Sequence, residues 1–297
     1  MKNKCLIWGT GDEFKNNIQL IKYYEMLGMI EVIGLTSNEE YYDFIMTYKF
    51  IAKDNIEKYD YDYLIIAASG KVLESILNEV VTMAIDERVA IPIKALKLPA
   101  FDFDKYIKLK EKVPTIFTPH CWGGVTYNAL GLPFKSPFIN MYEDHDDFLK
   151  LLKNPKYYME RELEFVEMKY ESILKRAFPI ARCGDILLYF NHYKEFDEAK
   201  ACWERRKKRI DWDNIFVEFY DENEDRVKEF LSLPYENKIC FVPFSMKHKN
   251  VIPIEYKEMC PEMPFWRIVM STAGYGVGID VLELLLNHEI ITLSKYR

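Results

Sequence analysis

Short apolar segments alternate with amphipathic segments over the first hundred residues, and this alternation restricts the fold more than any other feature. Segments 14–27 and 71–85 place apolar residues at the spacing of one helix face. Strands that alternate with helices form βαβ units with a parallel sheet. We therefore expect an α/β fold in which residues 1–112 form a Rossmann-like domain with a small parallel sheet. Its predicted strands are the apolar segments 4–9, 30–37 and 61–69.

The alternation of strands and helices begins again after residue 112, so residues 113–297 are predicted to form a second α/β domain. Segment 99–114 is predicted to be a helix closed by a proline and serves as the candidate linker. The glycine-rich segment 271–280 is predicted to be a loop. Strands are predicted at 115–118, 136–143, 184–193, 214–221, 238–245 and 265–271, and helical segments at 146–170, 196–210, 224–233 and 279–289.

The overall charge and the cysteine pattern exclude several classes of protein. A net charge of −7 and a pI near 5.5 argue against general nucleic-acid binding, which needs a positive surface. No apolar run approaches the roughly 20 residues that span a bilayer, and the N-terminal segment fits a first strand better than a signal peptide. The 6 cysteines contain no C-x-x-C pair, so we expect reduced thiols, no metal site and a cytoplasmic protein.

A glycine turn follows the first predicted strand. Gly9 and Gly11 match the first two glycines of a dinucleotide-binding turn, in which the backbone approaches a pyrophosphate. Phe14 stands where the third glycine would be, and no acidic residue stands directly at the tip of the second strand. Gly9 and Gly11 are therefore candidate cofactor-binding residues, and the alternative is a tight strand-to-helix turn capped by Asp12.

A second turn, at the start of the second domain, places Cys121 at the N-terminus of a predicted helix. Unsatisfied amide groups and the helix dipole at that position lower the pKa of a thiol. His120 and His192 are the candidate bases for a nucleophilic Cys121, and Asp185 or Asp197 could orient the histidine. The alternative is a structural cysteine in a crowded corner, because free cysteine is among the most buried residue types.

The helix after this turn and a basic segment supply the candidate substrate contacts. Gly123 and Gly124 would let a substrate carbonyl approach the backbone amides, as in an oxyanion hole. The segment 203–209 is the densest positive stretch in this acidic chain, and it is interpreted either as a solvated helix face or as a site for phosphate or carboxylate groups. The predicted substrate-binding residues are His120, Trp122, Gly123, Gly124, Tyr127, Arg206 and Arg209.

Motifs between residues 113 and 260 resemble a bacterial family of unknown function that is usually filed under exopolysaccharide biosynthesis. The Cys-Trp-Gly-Gly of residues 121–124, followed by the Gly-Leu-Pro of residues 131–133, is the most specific part. The resemblance implies a role in surface-polysaccharide assembly and establishes no reaction. The first domain also looks like small N-terminal domains that precede some sugar-modifying acyltransferases. The motif positions are Cys121, Trp122, Gly123, Gly124, Tyr127, Gly131, Leu132, Pro133, Asp185, His192, Tyr193, Trp203, Arg206, Arg209, Asn214 and Phe216.

Two functional hypotheses follow from the sequence. The first is a transferase of surface-polysaccharide assembly that moves an acyl or glycosyl group, with Cys121 as nucleophile, His192 as base and Asp185 as its orienting group. No motif demands a cofactor, and a nucleotide sugar or an acyl-CoA is the candidate donor. The second hypothesis is a non-catalytic protein that binds a sugar nucleotide or a polysaccharide end. In both cases the ligand is a small molecule or a polysaccharide precursor, and the sequence does not determine the oligomeric state.

Overall fold

A computed structural model of the chain describes residues 2–39, 43–172, 175–254, 263–273 and 278–292. The chain divides into two compact units, Met1–Glu111 and Lys112–Arg297. Both contain a parallel sheet with helices in the connections, which confirms the predicted α/β class. In the described ranges no helix is both long enough and apolar enough to cross a membrane.

The first unit is built on a four-stranded parallel sheet with the order β2-β1-β5-β6. A small antiparallel pair of two strands, β3 and β4, lies outside this sheet. The strands are β1 (Asn3–Trp8), β2 (Ile30–Thr36), β3 (Phe44–Ile45), β4 (Tyr48–Lys49), β5 (Tyr63–Ile66) and β6 (Ala90–Pro92). The α-helices are α1 (Asp12–Met26), α2 (Gly70–Thr82) and α3 (Phe103–Glu111), and 3₁₀ helices cover Lys53–Lys58, Glu87–Val89 and Ile93–Lys97.

The core of the first unit explains why its central strands are almost wholly apolar. Strands β1 and β5 lie in the middle of the sheet and are buried on both faces, as expected for parallel strands. The predicted linker at 99–114 is instead part of this unit, because α3 buries Phe103, Tyr106 and Leu109. Residues at that three-residue spacing lie on one side of a helix, so their burial requires the rest of the unit.

The second unit contains two further sheets. A parallel sheet has the order β13-β12-β11-β7, and an antiparallel sheet has the order β10-β9-β8. The strands are β7 (Thr115–Phe117), β8 (Glu164–Glu171), β9 (Arg176–Cys183), β10 (Ile186–Tyr189), β11 (Ile215–Tyr220), β12 (Lys238–Val242) and β13 (Val251–Pro253). The helices are α4 (Trp122–Leu130), α5 (His145–Lys153), α6 (Pro155–Glu160), α7 (Phe196–Lys207), α8 (Glu224–Ser232), α9 (Phe265–Ser271) and α10 (Val281–Asn287).

Three predicted elements of the second unit differ from the structure. The helical prediction for 146–170 is wrong beyond α6, because residues 164–171 form strand β8 against β9. The predicted strand 136–143 is irregular except for an isolated bridge between Tyr142 and Tyr189. The predicted strand 265–271 is helix α9, since a short apolar run does not distinguish a strand from a buried helix. In the glycine-rich segment predicted to be a loop, residues 274–277 lie outside the described residues.

A tyrosine hydroxyl ties helix α4 to strand β7. The hydroxyl group of Tyr127 donates a hydrogen bond to the carbonyl of Pro114 at 2.7 Å and accepts one from the amide of Ile116 at 2.8 Å. Tyr127 is buried, so both backbone groups depend on it for their hydrogen bonds. This contact fixes β7 in place, and the turn that follows β7 carries the polar groups described below.

The variant Tyr127→Phe is expected to lower the free energy of unfolding by about 1–3 kcal/mol, since it leaves a buried donor and a buried acceptor unsatisfied. Urea denaturation of the purified chain measures the loss. Tyr157→Phe is the matched control, because Tyr157 is exposed and its hydroxyl makes no hydrogen bond within the described chain, so its change should stay below about 0.5 kcal/mol. Equal losses in the two variants would contradict this role of Tyr127.

Candidate functional site

Polar side chains collect at the carboxyl edge of the parallel sheet in the second unit. Strand β7 pairs with β11 in the register Ile215↔Thr115 to Val217↔Phe117. Because β11 continues to Tyr220, its last residues run beside the turn 118–121 that follows β7. Ligands of open α/β sheets bind outside the carboxyl ends of the strands. A ligand site of the second unit is therefore expected at this edge of the sheet.

A buried hydrogen-bonded chain of three side chains starts at the turn after β7. Thr118 Oγ1 lies 2.9 Å from Nδ1 of His120 and donates to Oε2 of Glu218 at 2.5 Å. The backbone amide of Trp122 also donates to Nδ1 of His120, at 3.4 Å, so this ring nitrogen accepts a hydrogen bond within the turn. Nε2 of His120 and Oε1 of Glu218 are buried and have no hydrogen-bond partner within the described chain.

Burial keeps both ends of this chain uncharged at neutral pH. Loss of solvation raises the pKa of Glu218 to about 8, although the hydrogen bond from Thr118 opposes the shift. Loss of solvation, together with the nearby His145, lowers the pKa of His120 to about 3. The 3.5 Å separation of His120 Nδ1 and Glu218 Oε2 is therefore a contact between neutral groups, not an ion pair.

Glu143 is a second buried acid next to the same turn. Its side chain is nearly inaccessible, with 3% of its surface exposed, and neither carboxyl oxygen has a partner within the described chain. Its backbone amide donates to the carbonyl of Pro119 at 3.0 Å, which places it beside the turn. Burial, with Asp147 and Asp144 nearby, raises the pKa of Glu143 well above its usual value, which favours the protonated form of its carboxyl group.

The structure brings Cys121 and His192 together. The Cys121 Sγ lies 3.6 Å from Nε2 of His192, and Nδ1 of His192 lies 3.5 Å from Nη2 of Arg176. An arginine can only donate, so Nδ1 accepts and the neutral ring carries its proton on Nε2. His192 therefore donates to the sulfur in this arrangement. The ring cannot act as the base of Cys121 until Arg176 leaves Nδ1.

The thiol and the imidazole are both uncharged at rest. Burial raises the pKa of Cys121 to about 11, with Arg176 opposing the shift and Glu143 adding to it. Burial and the charge of Arg176 lower the pKa of His192. The helix N-terminus does not overcome desolvation, so the activated thiolate expected from the sequence is not the resting state.

Asp185 does not orient His192. It is exposed, and its Oδ1 accepts a hydrogen bond from the Tyr158 hydroxyl at 2.8 Å. Asp185 and His192 lie beyond opposite ends of the four-residue strand β10, so the strand itself separates them. The alternative, Asp197, lies in the first turn of α7, and the group that contacts the ring is Arg176.

Three of the four predicted substrate contacts on helix α4, Trp122, Gly123 and Tyr127, have packing or structural roles in this fold. A Cβ on Gly123 would lie 2.9 Å from Cγ2 of Ile116, so the glycine allows α4 to pack closely on β7. Trp122 is buried and donates from Nε1 to Thr272 Oγ1 at 2.9 Å. Tyr127 is buried and holds α4 against β7 through the two hydrogen bonds described above. A Cβ on Gly124 would make an ordinary contact of 3.6 Å with Ile139, so close packing does not require a glycine there.

The basic segment of α7 also differs from its prediction. Arg206 is buried, and its Nη1 donates to the Tyr193 hydroxyl at 2.6 Å and to the Ile139 carbonyl at 3.1 Å, so it is no surface anion contact. Arg209 is exposed and donates to the Phe134 carbonyl at 3.3 Å. The lysines of the segment line a groove of about 440 Å³ instead. Its lining residues are Lys156, Met159, Glu160, Glu204, Lys207, Lys208 and Trp212.

Sequence reasoning missed an ion-paired cluster beside His120. His145 Nδ1 lies 2.7 Å from Oδ2 of Asp221, and Arg226 Nε donates to the same oxygen at 2.6 Å. Burial raises the pKa of Asp221, but the hydrogen bonds from His145 and Arg226 outweigh it and hold the pKa at about 2. The Tyr220 ring stacks on His120 with centroids 4.5 Å apart and joins the two clusters.

The sequence carried a signal for only part of this site. Glu218 is an acid in the middle of an otherwise buried apolar strand, and such a residue can be recognised from the sequence. Glu143 and His145 belong to an acidic segment that resembles an ordinary helix start. Within the residues that the structure describes, no group of three or more histidine, cysteine, aspartate or glutamate side chains could hold a metal ion.

The glycine turn of the first unit lies at the point where the strand order of its sheet reverses. In the order β2-β1-β5-β6 that point is between β1 and β5. Gly9 has φ +117°, and a Cβ there would lie 2.6 Å from the carbonyl oxygen of Ala67, so close approach of the two turns requires glycine. Gly11 precedes α1 and has open space around it. Cofactor binding at Gly9 and Gly11 stays a prediction.

The fold and this site define a chain with two α/β units and a buried, mostly uncharged polar cluster in the second. Two family models match it. The model described as C2185-like, N-terminal matches residues 1–91, and the model described as Domain of unknown function (DUF1919) matches residues 93–276. The second match covers more than half of the chain, so the chain belongs to the DUF1919 family.

A protein of Haemophilus influenzae (strain ATCC 51907 / DSM 11121 / KW20 / Rd), named only as an uncharacterized protein, is similar to part of the chain. The two are 31% identical over 137 residues, which are 45% of this chain and 64% of the relative. The chain thus spans just under two thirds of the length of the curated relative it matches.

We expect Glu218 to make stability depend on pH. Its pKa is raised on folding from 4.5 to about 8, so the unfolded chain loses this proton first, and the free energy of unfolding falls as pH rises through that window. The fall attributable to Glu218 between pH 4.5 and 7 is about 3 kcal/mol. Urea denaturation across this pH range should show a smaller fall for Glu218→Gln, and the exposed Glu236→Gln should behave like the wild type.

Alkylation of Cys121 at neutral pH is expected to be slow. At neutral pH, the ionised fraction of a thiol with a pKa of about 11 is about two to three orders of magnitude smaller than that of a free cysteine. Mass-spectrometric peptide mapping after iodoacetamide treatment measures the rate, with glutathione as the reference thiol and Cys121→Ser to assign the site. A rate at pH 7 equal to that of glutathione would contradict the neutral resting state.

Proposed function

We propose that the chain is an acyltransferase of surface-polysaccharide assembly that acts on a saccharide hydroxyl. In this proposal the donor carries a phosphate group, as an acyl-CoA does, and Arg176 binds that phosphate. Cys121 is the nucleophile, and His192 is the base that its contact with Arg176 holds inactive until the donor binds. The observation that carries the proposal is the contact of Arg176 with His192, and of His192 with Cys121.

Arg176 has the properties of an anion-binding residue. Its side chain is half-buried, its Nε has no hydrogen-bond partner, and no carboxylate within the described chain forms an ion pair with it. A half-buried guanidinium without a counter-ion is costly, and an anionic ligand removes that cost. Arg176 thus takes the place of Arg206 and Arg209 as the candidate contact for a phosphate.

Binding of a phosphate to Arg176 would change what His192 can do. When the guanidinium turns to the phosphate, Nδ1 of His192 becomes free to carry the ring proton, and Nε2 acquires the lone pair that a base needs. Loss of the neighbouring positive charge also raises the pKa of His192, which strengthens it as a base. The thiol would therefore be activated only in the presence of the donor.

The chemistry of the two half-reactions balances with these groups. In the first, the Cys121 sulfur bonds to the acyl carbonyl carbon while His192 takes the thiol proton. The carbon–sulfur bond of the donor breaks, and the departing thiolate receives that proton from His192. In the second half-reaction the saccharide hydroxyl gives its proton to His192 and attacks the thioester, and the Cys121 sulfur leaves and is reprotonated.

The buried acids support this chemistry by staying neutral. An ionised Glu143 would raise the pKa of Cys121, so its protonated state limits the repulsion that a thiolate would meet. Glu218 and His120 are likewise uncharged, and their hydrogen bonds through Thr118 fix the turn that positions the sulfur. Uncharged polar groups next to a reacting sulfur provide hydrogen bonding without a fixed like charge.

The polysaccharide context comes from the sequence resemblance. The Cys-Trp-Gly-Gly turn of residues 121–124 is the motif of that resemblance, and in the structure this turn lies at the carboxyl edge of the sheet. A saccharide hydroxyl is the acceptor that a polysaccharide-linked acyltransferase requires. The glycine turn of the first unit lies at the strand-order reversal of its own sheet and is, taken by itself, a candidate nucleotide-binding region.

A second candidate function is non-catalytic binding of a sugar nucleotide. The neutral resting states of Cys121 and His192 favour it, because a binding protein needs no activated thiol. The two functions predict the same ligand contact at Arg176 and differ in one respect. Only the transferase forms a covalent bond between the ligand and Cys121.

Thermal unfolding with coenzyme A and with UDP-glucose tests the ligand contact. We expect one of the two probes to raise the unfolding temperature of the wild type, because a ligand that binds only the folded chain stabilises it. Arg176→Met should abolish that rise. Arg182→Met is the matched control, since Arg182 is an exposed arginine on the same strand. An equal rise in all three proteins would contradict a phosphate site at Arg176.

Intact-mass analysis after acid quenching distinguishes the transferase from the binding protein. Incubation with acetyl-CoA should add one acetyl group to the wild type and none to Cys121→Ser. His192→Asn should still bind the donor and acquire the acetyl group at least about tenfold more slowly, in keeping with loss of a general base. Binding through Arg176 without any covalent adduct would favour the non-catalytic function.

A further inference from the structure

Strand β8 is an open sheet edge of unusual composition. It is the last strand in the order β10-β9-β8, and within the described part of the chain no strand or bridge lies on its outer side. Such an edge presents a row of unpaired backbone N–H and C=O groups to the solvent. On the other side of the sheet, the bridge between Tyr142 and Tyr189 covers the edge formed by β10.

Strand β8 also carries large apolar side chains that the fold leaves exposed. The exposed fractions are 50% for Phe165, 39% for Val166, 42% for Met168 and 67% for Tyr170. Natural edge strands are usually short, charged or covered, because a long apolar edge is a template for pairing. A contiguous exposed apolar group of this kind marks an interaction site. The edge is therefore a candidate surface for pairing with another strand, although half of its residues are charged.

The charge pattern of β8 identifies a second copy of the same strand as that partner. Two β8 strands that pair antiparallel about a two-fold axis at Met168 place Glu167 opposite Lys169 twice. The same register places Val166 opposite Tyr170 twice and Met168 opposite itself. Moving the axis to Glu167 would set the two Glu167 side chains against each other. An axis at Tyr170 would pair Lys169 with Glu171 but would extend beyond the end of the strand at Glu171, so charge and strand length together select the register centred on Met168.

We propose that the chain forms a homodimer in which the β8 strands of two copies pair antiparallel, centred on Met168, and join two three-stranded sheets into one. Such a contact is isologous, since each residue of one copy meets the same surface of the other. The charges of Glu167 and Lys169 disfavour pairing with an unrelated strand. In this dimer, Glu167 of one copy lies opposite Lys169 of the other copy. This proposal does not depend on the proposed function of the site at Cys121.

The dimer leaves the local fold of β8 unchanged. The strand already pairs with β9 from Glu164↔Arg182 to Glu171↔Arg176, so only its outer edge is used. The bulge between Phe165 and Glu167 includes Val166, so the regular edge around Met168 forms the centre of the dimer contact and the two Val166–Tyr170 pairs lie at its ends. Lys169 also lies over the Tyr189 ring at 5.3 Å, which helps to keep its stem against the sheet.

Sedimentation equilibrium over a concentration series tests the proposal. The wild type should approach twice the 35.4 kDa of one chain. Glu167→Lys and Lys169→Glu each replace two opposite-charge pairs with two like-charge pairs, so each should weaken dimerisation about tenfold or more. The double variant Glu167→Lys with Lys169→Glu exchanges the charges and should dimerise like the wild type. An equal mixture of the two single variants should form a heterodimer.

Lys228→Glu, a charge reversal at an exposed position of α8, is the control and should leave dimerisation unchanged. Circular dichroism of every variant checks that the fold is intact. The variant Lys169→Glu and the double variant both lose the contact of Lys169 with the Tyr189 ring, so that loss cannot explain a difference between them. A wild type that stays monomeric at all concentrations overturns the proposal. It is also overturned if the single variants dimerise normally or if the double variant fails to recover.

Discussion

The parallel pairing of β7 with β11 joins segments that lie about a hundred residues apart, and the candidate site depends on it. The hydrogen bond from Thr118 to Glu218 spans 100 positions of the chain, and the aromatic stack of His120 on Tyr220 follows from the same pairing. Tyr127 fixes β7 from the other side through two backbone groups. Without this pairing, none of the buried polar groups at the carboxyl edge would have its neighbours.

The site is built from groups that burial has made neutral. Glu218 holds a proton that an exposed acid would release at neutral pH, and burial also favours the protonated form of Glu143. His120 lacks a proton that an exposed histidine begins to bind at mildly acidic pH. Within the residues that the structure describes, the charged group in contact with the Cys121–His192 pair is Arg176. In the proposed function, the Cys121–His192 pair stays inactive until a ligand binds that arginine, which would link ligand binding to activation of the thiol and would distinguish this site from one with a preformed thiolate.

The two sheets of the second unit differ in the solvent exposure of their strands. The parallel sheet is covered, and its strands β7 and β12 are wholly buried. The antiparallel sheet holds Arg176 at one end of β9 and exposes its edge strand β8 to solvent. Because Glu171 of β8 pairs with Arg176 in the ladder, a partner on β8 would also stabilise the strand that presents the guanidinium. This relation places the proposed ligand contact and the proposed dimer contact on the same hairpin.

The sequence determined the α/β class and the positions of most strands and helices, because apolar periodicity depends on local spacing and on which face is buried. It also located Cys121 in a strand-to-helix turn and named His192 as its neighbour. Tertiary structure decided the rest. Strand β8 was missed although residues 166–171 alternate between apolar and polar, because the whole charged stretch 146–170 was predicted to be helical and neither face of the strand is buried. The protonation states of Cys121, Glu143 and Glu218 depend on desolvation by segments distant in the sequence. Arg176 lies next to His192 because β9 pairs with β8 and β10. Such facts are properties of the packed chain, and no local pattern of residues contains them.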